Sequence, residues 1–170
     1  EGFWAEGSPN VKLNPASWAM SMGQDFTQNH SPTEIDFATV HIWPDNWEQP
    51  STEFQAEWVE RHIEEAESVL KKPVILQEFG KKMQSKIENK YQRNEVYDTI
   101  HGLVENSAQS KKMLKGSLFW NWELDLLVGA HRSLYSVKES DATFKLIEKH
   151  AKLMKTISED NVFECHIDAP

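Results

Sequence analysis

The chain has 170 residues, with 27 Asp and Glu against 18 Lys and Arg for a net charge of −9. That length supports a real hydrophobic core in one domain spanning residues 1–170, and the acidic balance argues against a nucleic-acid partner, which needs concentrated Lys and Arg. Hydrophobic residues make up 39%, with no run long enough to cross a bilayer, so no membrane span is expected.

The chain opens on "EGFWAEGSPN", which lacks the basic, apolar and small-residue pattern of a signal peptide. A mature protein and a chain that does not start where its gene starts both fit. "EGFW" reads as the end of a strand and "NPASWAMSMGQDFTQN" as a helix after it. Asn29-His30-Ser31 matches a glycosylation sequon, but Pro32 behind it makes chance the favoured reading. "IDFATVHI" (35–42) is β-branched and apolar and predicts a buried strand. "TEFQAEWVERHIEEAESVLKK" then places Phe54, Trp58, Ile63, Ala66 and Leu70 on one helical face, capped by Ser51 or Thr52. Its "HIEEAE" stretch reads as a solvated face.

"PVILQEF" (73–79) predicts a second strand, since a strand's first position tolerates proline. "NEVYDTIHGLVENSAQS" follows as a helix with Val96, Tyr97, Ile100 and Val104 in phase, and "GSLFWNW" (116–122) as a third strand. "DATFKLIEKHAKLMKTI" predicts a last helix, capped by Ser140 or Asp141, with Phe144, Ile147, Ala151, Met154 and Ile157 inward. Apolar strands alternating with amphipathic helices imply parallel strands joined by crossovers. The fold class is therefore α/β.

In parallel-stranded barrels the carboxyl ends of the strands meet on one face, where active sites form. Here the strand ends carry His41 and Trp43, then Glu78, then Trp120 and Trp122. A carboxylate at a buried strand's end costs free energy unless it is paired or functional, and the company of His41 and the tryptophans favours function for Glu78. His41 reads either as a core histidine with one hydrogen bond or as a group that binds a substrate hydroxyl or holds the carboxylate. Trp43 offers an indole N–H towards Glu78 or a sugar hydroxyl. Trp120 is read as a stacking platform; Trp47 and Trp122 divide evenly between platform and core. Asp45 and Asn46 are read as turn residues. No Cys/His spacing suits zinc, and no phosphate loop or nucleophile elbow is present, so neither metal nor cofactor is expected. Cys165 is the single cysteine, which rules out a disulfide within this sequence and fits either a reducing compartment or a partner cysteine on other polypeptide.

"EGF", "NPASWAMSMGQDF", "IDFATVHIWPDNW", "PVILQEFG" and "GSLFWNW", in that order from about residue 1 to residue 122, resemble the successive landmarks of an endo-β-1,4-mannanase of glycoside hydrolase family 5. The resemblance implies the C-terminal half, about strands 5–8, of a (β/α)8 barrel. It also implies retaining hydrolysis of β-1,4-mannan or glucomannan, outside the cell and without a cofactor. By that likeness Glu78 matches the nucleophile, His41 the histidine lining the catalytic centre, and Trp120 the tryptophan under the sugar at the cleavage point. Many members carry tyrosine at the position of Trp43, donating to the nucleophile; tryptophan occurs in other branches.

The family's acid/base glutamate lies in an Asn-Glu pair upstream of the "EGF" landmark, with which this sequence begins. The chain alone is therefore expected to be inactive, its companion being the N-terminal half of the barrel. Two alternatives remain: another β-glycanase of the same family, such as a cellulase, or a non-catalytic carbohydrate-binding or structural subunit.

Overall fold

The computed structural model describes residues 1–83, 88–124 and 133–160; Cys165 lies outside them. Three strands, β1 (Ala38–Ile42), β2 (Val74–Phe79) and β3 (Leu114–Phe119), form a parallel sheet in the order β1-β2-β3. Among the described residues four α-helices accompany it: α1 (Phe26–His30), α2 (Thr52–Glu65), α3 (Glu88–Gln109) and α4 (Ala142–Asp160). Parallel neighbours cannot be joined by a tight hairpin, so α2 and α3 fill the crossovers between successive strands.

The strand sequences explain the layering. Alternate residues of a pleated strand face opposite sides, and Ala38, Val40, Ile42, Val74, Leu76 and Leu114 all lie on one fully buried side. They share a core with Trp58, Val59 and Ile63 of α2 and with Val96, Ile100 and Val104 of α3. The opposite side carries Thr39, His41, Gln77 and Leu118, of which Gln77 and Leu118 are exposed. One sheet face is thus covered by helices, and the other is open among the described residues.

Helix α2 starts at Ser51, whose side chain accepts from the Phe54 backbone N–H, satisfying one of the donors that a helix start leaves free. A π-helical turn (Ala66–Leu70) extends it, and Lys71 ends it in a left-handed conformation (φ 57°), its N–H donating to the Ala66 carbonyl.

Several expectations need correction. The segment expected as one front helix (14–29) is instead a 3₁₀ turn at Ser17–Met22 followed by α1, with a further 3₁₀ turn at Val11–Leu13 ahead of it. Gly23 adopts a left-handed conformation (φ 67°) and Asp25 caps α1, so the chain changes direction between them. "EGFW" is not a strand, although the Glu1 carbonyl accepts from the His41 N–H at 3.0 Å. The third strand begins at Leu114 and ends before Trp120 and Trp122. Helix α3 begins at Glu88, ahead of the expected Asn94. On α4, Ala151 is exposed instead of inward.

The largest departure is at "HIEEAE". His62 is fully buried, its ring stacked on Trp4 at 4.2 Å and edge-on to Phe26 at 4.5 Å. Its nitrogens lie 2.7 Å from the Trp58 carbonyl and 2.8 Å from the Gly2 carbonyl. Glu65 accepts from the Trp4 indole, from Asn10 and from Thr27. The "EGFW" segment folds over this part of α2, which turns a polar stretch into an anchorage.

Candidate active site at the strand ends

The regular register of β1 on β2 breaks after Val40, which pairs with Leu76, so that His41 pairs with Glu78 and not with Gln77. In an unbroken strand Gln77 and Glu78 would face opposite sides. The bulge turns both towards the same imidazole, as bulges at barrel rims do when they re-aim a side chain. His41 Nε2 lies 3.1 Å from Gln77 Oε1 and its Nδ1 lies 3.6 Å from Glu78 Oε2.

Nδ1 also lies 3.8 Å from Glu1 Oε1, and it is a buried atom without a hydrogen bond. One imidazole nitrogen therefore looks out between two carboxylates. The His41 ring holds the Glu1 carboxyl below the usual carboxylate range, against the opposing effect of burial. From behind, the Trp58 indole donates to the His41 carbonyl at 2.9 Å, fixing the strand end from α2.

The aromatic rings divide into two groups. Trp43, nearly buried, is edge-on to Trp120 at 6.4 Å and to Tyr135 at 5.2 Å. Trp120 is 46% exposed, and its N–H donates to the Phe79 carbonyl at 2.7 Å, so its ring stands beside the strand that carries Glu78. No hydrogen bond joins the Trp43 indole to Glu78 among the described residues. Trp47 is 6% exposed and packs on Phe3 and Trp58, so its ring belongs to the core and offers no face to a sugar. Trp122 is exposed and stands 6.1 Å from Phe144 of α4. His41 meets Glu78 and Trp43 meets Trp120 at the ends of neighbouring strands, whereas Trp47 packs in the core.

Four residues that the pattern reading left aside complete the rim. Glu1 was visible as the head of "EGF". Gly80 is the point where the chain squeezes past three neighbours: a Cβ there would lie 2.7 Å from the Trp120 carbonyl oxygen and 3.1 Å from Tyr135. Tyr135 donates to Asn46 Oδ1 at 2.8 Å, and burial together with the Asp45 charge pushes its phenol up to about 12. Lys81 pairs with Asp45. Their sequence separations gave no local signal. Among the described residues no group of three or more His, Cys, Asp or Glu is arranged to hold a metal ion.

A half-exposed carboxylate beside an imidazole, next to an exposed indole, offers a nucleophile or base, a polar partner and a flat apolar face. Comparison with known proteins gives that arrangement a family. The profile described as GH family 5 beta-mannosidase-like matches residues 16–124. Mannan endo-1,4-beta-mannosidase 5 of Arabidopsis thaliana is 37% identical over 163 residues, covering 91% of this chain and 38% of that protein. Mannan endo-1,4-beta-mannosidase 1 of Oryza sativa subsp. japonica is 32% identical, covering 93% and 38%. The chain thus spans 38% of the length of these two curated relatives. Among solved structures, the endo-1,4-beta-mannanase of Rhizomucor miehei aligns with a TM-score of 0.69 at 23% identity, covering 92% of this chain and 39% of that one. The endo-beta-1,4-mannanase of Thermotoga petrophila aligns at 0.68 and 22%, covering 96% and 36%. The sheet and its helices are accordingly an arc of a (β/α)8 barrel, and the chain belongs to the beta-mannosidase-like group of glycoside hydrolase family 5.

Proposed function

We propose that this chain carries the nucleophile side of a retaining endo-β-1,4-mannanase, which hydrolyses mannan or glucomannan backbones outside the cell when its barrel is complete. The observation that carries the reading is the bulge-enforced meeting of Glu78 with His41 at the tips of adjacent strands, beside the exposed Trp120. The names of the relatives support the substrate class.

The chemistry assigns each group a task. Glu78, ionised, attacks the anomeric carbon and forms a glycosyl-enzyme ester while the glycosidic bond breaks; water then hydrolyses the ester with retention. His41 orients the carboxylate and the neighbouring sugar hydroxyl. Trp120 stacks against the C–H face of the sugar, and Trp43 backs Trp120. A retaining site needs a second carboxyl about 5–5.5 Å from the first, to protonate the leaving oxygen and later activate water. That acid/base group is expected from the portion of the relatives that this chain does not span. Residues 1–170 then form part of one catalytic domain, and the open sheet face bearing Leu118 and Gln77 is where the rest of the barrel packs. No described helix is long and apolar enough to cross a membrane.

The test is Glu78→Ala in the full-length protein, assayed side by side on mannan and on cellulose. Mannan hydrolysis by the parent and its loss in the variant, with oligosaccharide binding retained, is the expected result. Unchanged turnover removes Glu78 from its role, and cellulose as the better substrate replaces mannanase with another β-glycanase of the family.

A further inference from the structure

The ladder between β1 and β2 ends with Ile42 opposite Phe79. Beyond it the two chains diverge into loops, one carrying Trp43 and the other following Glu78. The turn at 43–47 closes on itself, with the Asn46 and Trp47 N–H groups both donating to the Trp43 carbonyl. What holds that turn against the other loop is a set of side-chain bonds. Asp45 pairs through Oδ1 with the Lys81 ammonium and accepts through Oδ2 from the Lys82 backbone N–H at 2.7 Å. Both side chains of the ion pair are nearly out of solvent, Lys81 at 11% and Asp45 at 8%.

Asp45 stands two residues after Trp43, and Lys81 three residues after Glu78. The pair therefore sets the separation between the ring that backs Trp120 and the strand tip that carries the carboxylate. A third loop joins through Tyr135, which donates to Asn46, receives the Lys82 ammonium over its ring at 5.4 Å, and stands edge-on to Trp43. Gly80 lies between these groups without room for a side chain. The rim is held at this point by a buried charge pair, and among the described residues no backbone ladder joins the two loops.

We propose that Asp45 and Lys81 are a positioning pair that holds Trp43, and through it Trp120, in register with Glu78. The proposal rests on the glycosidase reading of the site. Neither residue touches the sugar; each acts through the loop it fixes.

The experiment uses the full-length protein and a variant chosen to fold. A single substitution strands a buried charge and can destabilise the whole molecule, so the decisive variant is the double change Asp45→Asn with Lys81→Met. It removes both charges together and keeps an acceptor for the Lys82 N–H. Misplacement on the order of 1 Å costs about 100-fold, so kcat on mannan should fall by about 10- to 100-fold with KM changed little. The Trp43 indole N–H resonance, assigned with Trp43→Phe, should shift. Lys81→Arg, which keeps the pair, should retain most of kcat. A folded double variant with parental kcat and an unmoved Trp43 resonance overturns the proposal. If the parent protein does not hydrolyse mannan, the mannanase reading fails, and the Trp43 resonance alone then decides the positioning role, since it needs no substrate.

Discussion

The strand-end rim and the aromatic core under the "EGFW" segment each enclose a histidine, and they treat it in opposite ways. At the rim His41 points its Nδ1 between the carboxylates of Glu78 and Glu1, at 3.6 and 3.8 Å. In the core His62 faces backbone carbonyls among the rings of Trp4, Trp58 and Phe26, and burial pushes it down to about 4. In the core, burial favours the neutral imidazole and outweighs the opposite pull of the Glu65 carboxylate and the two carbonyls. The same side chain is thus placed for chemistry in one region and for cohesion in the other, and the difference comes from what the neighbouring segments bring.

The sharpest way to separate the two regions is to remove the carboxylate. Glu78→Gln should lower kcat by about 10⁴-fold, the order expected when a covalent nucleophile is lost. Its denaturant midpoint should stay near that of the parent, because the removed charge is half exposed. A large loss of stability with little loss of activity would place Glu78 with the core.

The second test acts on His62. The unfolded chain takes up a proton near pH 6.5, whereas the folded chain resists it until about 4. Stability is therefore level above pH 6.5 and falls as the pH drops from 6.5 towards 4. One proton over that interval amounts to about 3 kcal/mol. His101 is pushed down to about 3 by burial, reinforced by His150, and contributes in the same direction. Urea unfolding of His62→Gln across that range should show a shallower pH slope, reduced by one proton but not abolished. An unchanged slope would mean that the His62 ring exchanges protons freely with solvent.

The contrast also marks which parts of the molecule were legible from residue order. The first two strands were readable because β-branched apolar runs have few other uses, and Ala38, Val40, Val74 and Leu76 all reach the buried face. His41 and Glu78 were readable as neighbours because each follows such a run. The bulge that pairs them was not, since an extra residue in β2 leaves no trace in the pattern of one strand. His62 was misread for a related reason: the chain is polar at 64, 65 and 67, and the segment that covers His62 lies 60 residues away. Lys81 and Tyr135 were passed over because a charge after a strand, or a lone tyrosine, is ordinary until Asp45 and Asn46 are placed beside it. Local composition determines elements well; it says little about which loops are tied together.

Gly80 tests how tightly the rim is closed. A methyl group there meets the Trp120 carbonyl oxygen at 2.7 Å, and backbone cannot swing aside as a side chain can. Gly80→Ala should cost about 2 kcal/mol of stability and about tenfold in kcat, since the strain falls on Trp120 and Trp43 together. Loss of stability with kcat intact would show that the clash relaxes away from the site.

The smallest effects come from a matched pair of tryptophans, and they probe the comparison most finely. Trp47→Phe changes a ring packed on Phe3 and Trp58, so it should lower stability by about 1 kcal/mol and leave KM unchanged. Trp120→Phe changes a ring that is half in solvent, so its stability should stay within about 0.5 kcal/mol of the parent. Its KM on mannan should rise several-fold, because a smaller aromatic face covers less of the sugar. The two variants make the same chemical change in different surroundings. If both moved stability and neither moved KM, Trp120 would be a core residue that happens to reach the surface, and the apolar wall of the site would have to be sought elsewhere on the open sheet face.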